Sequence, residues 1–351
     1  MKILAMDLAK SNTVICFYDS KSGKHKFGKV RTTPQQIHDL LVEHTPDRVV
    51  FEICSSAGWI YDICTALKFE VQVANVNTAA WRWKNVKNKN DKNDALKLAQ
   101  LSAMNQLPTV HIPKPQVRQK RVLIRYRQTL VARVVQIKNN IRSILGKQGY
   151  SMASGKSGWT NTSLERMKGM ALPLERCNAH NLWRGQLRVE LLMYDSTEKA
   201  LADVTTALDT LAKSDPQIKL LQTAGGIGPR LAEAIVAFVD EPARFSSGKQ
   251  VGSYAGLTPR QYQSGSMNHQ GKISGQGNKL LRALLVEVSW LGLRHNRWMR
   301  QTYYRILRGS ASRKKIAITA VARKLLVRCW AMLRDGKAWR DMKIETGQEA
   351  A

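Results

Sequence analysis

Asp7, Glu52, Asp91 and Asp94 are the residues of this chain best suited by type and spacing to do chemistry. Asp7 follows the apolar run Ile3-Leu4-Ala5-Met6, and Glu52 closes Arg48-Val49-Val50-Phe51, so each is expected at the end of a buried strand. Asp91 and Asp94 open a helical pattern continued by Leu96, Leu98, Ala99 and Leu101, and their i,i+3 spacing stacks both on one helix face. Carboxylates drawn from three elements are the hard oxygen ligands that Mg²⁺ (or Mn²⁺) takes, and such ions clamp the attacking and leaving oxygens of a phosphodiester. The bland alternative is that an acid at a strand end is a cap or turn residue.

A second chemical candidate is Ser264, in Gln263-Ser264-Gly265-Ser266, where small neighbours leave a hydroxyl open to a bulky substrate. Arg260, Lys272, Lys279 and Arg282 flank it in sequence and could stabilise charge on an attacked phosphate. Taken alone, Ser-Gly-Ser is far more often a flexible turn than a nucleophile.

Charge says what the substrate is. Among 351 residues, 56 Lys and Arg face 26 Asp and Glu, a formal net charge of +30, which calls for a polyanionic partner. No acid occurs between Asp94 and Glu165, and Glu287 is the only one from Pro242 to Arg334, so two separate regions are built to approach phosphate. The five cysteines, Cys16, Cys54, Cys64, Cys177 and Cys329, are odd in number and lack ligand spacing, which fits buried reduced thiols in a prokaryotic cytoplasm, close to the nucleoid. No apolar run approaches the ~18 residues of a membrane span, so no membrane partner is expected.

The elements that must position these groups follow from periodicity. Strands are expected over 2–6, 13–18 and 25–31, then a helix over 33–43, the Glu52 strand, a helix over 61–69 and a strand over 71–76. Three strands followed by alternating helix and strand resemble the ribonuclease-H-like layout, α/β in class. Residues 116–145 read as a long helix with apolar positions at threes, fours and sevens; its Arg118, Arg121 and Arg125 are candidate nucleic-acid contacts. A second helix over 187–212 is expected to run back against it as a coiled-coil-like pair that also joins subunits into at least a dimer. Gly225-Gly226-Ile227-Gly228 between apolar helices is a helix-hairpin-helix pattern, which makes Gly226 and Gly228 candidates for DNA-backbone contact; the plain alternative is a glycine-bearing helix connection. The expected domains are 1–112, α/β; 113–215, basic and helical; and 216–340, mainly helical.

These motifs, in this order, resemble those of the insertion-sequence transposases that join a RuvC-like domain to a serine-bearing transposase domain, the group that includes the Piv DNA invertase and the bridge-RNA-guided recombinases. The resemblance rests on Met6-Asp7-Leu8-Ala9-Lys10, Glu52, Asn90-Asp91-Lys92-Asn93-Asp94-Ala95, Gly225-Gly226-Ile227-Gly228, Ala255-Gly256-Leu257-Thr258-Pro259-Arg260, Ser264-Gly265-Ser266, and Gly277-Asn278 with Leu281-Arg282. It implies that Asp7, Glu52, Asp91 and Asp94 form a metal tetrad and that Ser264 forms a covalent phosphoserine bond to DNA. It also implies a noncoding guide RNA pairing with donor and target DNA, and composite active sites shared between subunits. Asn90 where Thr is common, and Gly275 where Lys is expected, are departures. The competing readings are a Holliday-junction nuclease that uses the tetrad and water, a DNA invertase, and a non-enzymatic nucleic-acid-binding protein.

Overall fold

The computed structural model describes residues 1–75, 90–264 and 267–340. The end of the expected strand at Val76, Lys89 beside the acidic helix, and Gly265 and Ser266 lie outside the described residues. Two compact units are present, Met1–Arg118 and the chain from Gln119 onward.

The first unit is a five-stranded mixed sheet with helices on both faces. Its elements are β1 (Lys2–Asp7), β2 (Asn12–Asp19), β3 (His25–Arg31), α1 (Pro34–His44), β4 (Arg48–Glu52), α2 (Ala57–Ala66), β5 (Glu70–Ala74) and α3 (Asp91–Ala103). The strand order is β3-β2-β1-β4-β5, antiparallel among the first three and parallel from β1 through β5. Asp19 makes the first turn by accepting from the Lys21 N–H at 3.0 Å and the Ser22 hydroxyl at 2.8 Å. Thr33 caps α1 by accepting from the Gln36 N–H, with Pro34 in the first turn, where its missing N–H is not needed. Alternation sends Leu4, Met6, Val49 and Phe51 into a core with α1 and α2, and Ile3, Ala5 and Val50 into a core with Ala95, Leu98 and Ala99 of α3. Burial on both faces is why these strands read as continuous apolar runs.

The second unit is mainly helical. It contains most of α4 (Pro115–Lys147), then α5 (Asn161–Met170), α6 (Leu182–Lys213), α7 (Pro216–Gln222), α8 (Pro229–Val239), α9 (Gly248–Tyr254), a hairpin of β6 (Pro259–Ser264) and β7 (Met267–Ile273), α10 (Lys279–His295), α11 (Arg297–Leu307) and α12 (Lys314–Asp335). Helices α4 and α6 run antiparallel, tied by Lys120–Asp215 (3.2 Å), Arg127–Thr205 (3.0 Å), Lys138–Glu198 (3.2 Å) and Asn140–Glu190 (3.1 Å), so the paired numbers rise on one helix as they fall on the other. Ile124 of α4 and Leu208 and Ala212 of α6 share the core of α7 to α12, so the middle and C-terminal stretches form one unit. Two elements had no counterpart in the sequence reading: the strand over 267–273, and α12, which supplies much of the core through Val321, Leu325 and Cys329. Cys16, Cys64 and Cys329 are buried free thiols, which burial pushes up to about 11, 12 and 12; Cys54 is exposed, contrary to the reading of all five as buried. Among the described residues, no helix is long and apolar enough to cross a membrane.

Candidate functional site

In the first unit, the fold brings Asp7 and Glu52 to one end of the sheet. Strand β4 lies parallel to β1 with Met6 opposite Phe51, so Asp7 and Glu52 end neighbouring strands at the same level. Asp7 has the parity of Ile3 and Ala5, and Glu52 that of Val50, so both carboxylates project toward the α3 face. Helix α3 is fixed at its far end: Arg48, at the start of β4, donates to the Ser102 carbonyl at 3.1 Å and to Glu70 at 2.8 Å, while the Ser102 hydroxyl donates to Gln72 at 2.8 Å. From Ser102 back to Asp94 is eight residues of helix, ~12 Å, and from Arg48 to Glu52 four residues of strand, ~13 Å. Clamped at one end, the helix therefore sets Asp94 level with Glu52. Asp91 lies one turn further out and is exposed.

Asn90 starts this helix by accepting from the Asn93 N–H at 2.8 Å, and Asp91 and Asp94 in the first turn complement the helix dipole. That structural benefit does not explain Glu52 or Asp7. Lys97, 8% exposed, is the residue that sequence reasoning missed. Burial holds its ammonium below the ordinary value, against the opposing pull of Asp94 and Glu52, so one cation lies within electrostatic reach of both carboxylates. Its signal in the sequence is a lysine one turn beyond Asp94, inside the buried stripe of Ala95, Leu98 and Ala99. The donors are the carboxylate oxygens that a hard divalent cation prefers, so the residues fit such an ion in chemistry. Among the described residues, no three acidic, imidazole or thiol side chains converge into a metal-ligating group.

In the second unit, Ser264 ends β6, is the outermost residue paired with β7, through Met267, and is exposed. The hairpin base is closely packed. Gly256 (φ +68°) passes so close to the Gln276 carbonyl that a Cβ would collide with it, and Arg282 crosses the same spot to donate to the Ala255 carbonyl at 2.9 Å. Arg260 and Lys272 are exposed but belong to the base, four residues or ~13 Å along the strand from Ser264, and Lys279 is exposed in the first turn of α10. The proximity in sequence of these cations to the serine is thus only partly proximity in space. Further cations were unforeseen: the Arg323 stem lies 3.2 Å and the Thr258 methyl 3.7 Å from where a Cβ on Gly252 would be, and Lys324 is held below its ordinary value by burial and by the like charges of Arg305 and Arg323. Helix α12 carries two of these three and was not anticipated.

Several expected nucleic-acid contacts have other work. Arg118 pairs with Asp62 and donates to the Pro113 carbonyl at 2.6 Å, and Arg121 donates to the Ala237 carbonyl at 2.7 Å at the end of α8, where burial lowers its pKa. Arg125 lies 5.2 Å over the Phe238 ring. Gly226 (φ +92°) is small because a Cβ there would be 3.2 Å from the Gly292 backbone, and Gly228 faces open space just before α8.

Comparison with known proteins bears on both units. The family model for DEDD transposases of the IS110 group matches residues 4–148, and that described as Transposase IS116/IS110/IS902 family matches residues 218–304. The transposase for insertion sequence element IS1111A of Coxiella burnetii is 26% identical over 348 residues, covering 97% of this chain and 92% of that protein. The transposase for insertion sequence element IS1328 of Yersinia enterocolitica is 23% identical, covering 95% and 97%. A pilin gene-inverting protein of Moraxella lacunata is 32% identical over 119 residues, covering 34% of this chain and 37% of its own length.

Proposed function

We propose, from the premise that this chain belongs to the IS116/IS110/IS902 transposase family and is a DNA-cleaving, strand-transferring enzyme, that it recombines donor and target DNA with two sets of residues, an acidic metal centre and a serine nucleophile. The observation that carries the reading is the sheet edge at which Asp7 and Glu52 end adjacent parallel strands beneath the first turn of a helix bearing Asp91 and Asp94. The strand order β3-β2-β1-β4-β5 supports a ribonuclease-H-like, RuvC-like assignment for this unit. Asp7, Glu52, Asp91 and Asp94 would hold Mg²⁺ or Mn²⁺, which when bound supplies Lewis-acid stabilisation of charge on the reacting phosphate.

Ser264 acts on the phosphodiester. Its Oγ loses a proton and bonds to phosphorus, the P–O bond to the leaving sugar breaks, and the departing oxygen takes up a proton. Each cut strand is thereby conserved as a phosphoserine ester, so reversal of the same step on a new strand rejoins DNA without ATP. Exposure at a hairpin tip supports this role, since a nucleophile for duplex DNA must project beyond the fold. A long basic helix contacts backbone and shape and carries little base-specific information, which favours sequence choice by a noncoding guide RNA of the bridge type, and an exchange between two duplexes favours a homo-oligomer, paired through α4 and α6. The likeness to a pilin gene-inverting protein favours inversion as a second outcome of the same chemistry.

The test is recombination by purified protein with its co-purifying RNA. Asp7→Asn, Glu52→Gln, Asp91→Asn and Asp94→Asn each abolish product while binding persists, because affinity comes from many distributed Lys and Arg. Ser264→Ala binds but gives neither adduct nor product, whereas Ser266→Ala keeps partial activity. Full activity in excess chelator refutes the metal centre, product without a protein-DNA adduct refutes the serine, and unchanged target choice after RNA removal refutes guidance.

A further inference from the structure

The hairpin carries more than its serine. Directly paired residues share a face, so Ser264 and Met267 at the tip stand beside Tyr262 and His269, the next such pair inward. The rings of Tyr262 and His269 lie 6.5 Å apart at 30°, and the Tyr262 ring lies over Gly271, where a Cβ would be 3.0 Å from Cε2. Tyr262 is nonetheless 57% exposed and Met267 70% exposed. Strand β6 is exposed from Arg260 to Ser264, and a two-stranded ribbon with no cover is marginal in water, so this face is built to be covered by something else.

We propose that Tyr262 and His269 form a stacking platform for an unpaired base of the DNA strand whose phosphate Ser264 attacks. The proposal rests on the Ser264 reading. Three features select a nucleic-acid strand as occupant. The platform lies two residues, ~6.6 Å, from the serine, roughly the reach from a phosphate to the base of its own nucleotide. Exposed Arg260 and Lys272 flank it, and from Pro242 to Arg334 only Glu287 is acidic, which suits a phosphate backbone. Aromatic faces accept any base, so such a platform holds a strand in place without reading sequence, which a guided enzyme requires. A base can stack there only when unpaired, so the platform favours a strand opened at the point of exchange.

The probe is a single-stranded oligonucleotide carrying 2-aminopurine, titrated into the full-length protein with fluorescence quenching and anisotropy read together. Tyr262→Ala is expected to lose the quench and about tenfold in affinity. Tyr262→Phe keeps both, because the ring rather than the hydroxyl stacks, and Ser264→Ala keeps both. Quenching and affinity unchanged in Tyr262→Ala overturn the proposal, as does a Tyr262→Phe variant that behaves like Ala. The underlying reading fails separately: if wild-type protein quenches the probe but forms no phosphoserine adduct with cleavable DNA, the serine chemistry is wrong and the platform stands. An adduct at the wild-type level with no quench overturns the platform alone.

Discussion

Glu233 gives the second unit a stability that declines with rising pH. The residue is 6% exposed on α8, and its Oε1 lies 3.2 Å from Arg230 while its Oε2 has no hydrogen-bond partner. Arg230 divides its charge with Asp209, and Arg127 is turned to Thr205, so burial outweighs both cations and raises the carboxyl from 4.5 to about 7. Between those values the folded chain keeps a proton that the unfolded chain has released. Folding stability therefore falls as pH rises from about 4.5 through about 7 and is level beyond. A shift of that size is worth about 3 kcal/mol at most. Glu233→Gln keeps the shape and removes the ionisation, so wild type and variant should match near pH 4, where Glu233 is protonated in the folded and the unfolded chain, and diverge near pH 8 with the variant more stable by ~1–3 kcal/mol. Urea unfolding followed by tryptophan emission measures this, since Trp298 and Trp330 sit in the same core. Comparing the two proteins cancels every other titrating group. A difference independent of pH would refute the argument, and a wild type more stable at pH 8 would show that Arg230 and Arg127 outweigh burial.

Two further outcomes follow from the packing. Lys97→Met removes the cation that lies within reach of both Asp94 and Glu52, and should lower stability more in chelator than in millimolar Mg²⁺. Equal thermal shifts under both conditions would show that the acids hold no metal. Gly256→Ala drives a Cβ into the Gln276 carbonyl at a left-handed backbone position, and should cost roughly 3 kcal/mol in urea unfolding and abolish adduct formation by displacing the hairpin. A stable, active variant would mean that the hairpin base does not position Ser264.

What the sequence disclosed and what it hid divide along one physical line. Periodic burial is local, so Ile3 to Met6, Val49 to Phe51 and the stripe of Ala95, Leu98 and Ala99 announced the sheet and α3, and with them the common edge of Asp7, Glu52 and Asp94. Partner choice is not local. Arg118 and Arg121 looked like phosphate ligands because nothing in a helical pattern reveals that Asp62 and the carbonyl end of α8 will claim them. Lys97 and Arg323 were invisible for the converse reason, since each gains its meaning from acids or loops brought near by folding. The serine lies between these cases. Small residues around Ser264 pointed to an open hydroxyl and strand parity to Tyr262 beside it, but only the pairing of β6 with β7 adds Met267 and His269 to that face. A register shifted by one residue would carry His269 to the other side of the ribbon from Tyr262 and part the two rings, so the platform proposed above depends on the pairing. If Ser264 is the nucleophile proposed, what the hairpin offers a DNA strand is a property of its register as much as of its hydroxyl.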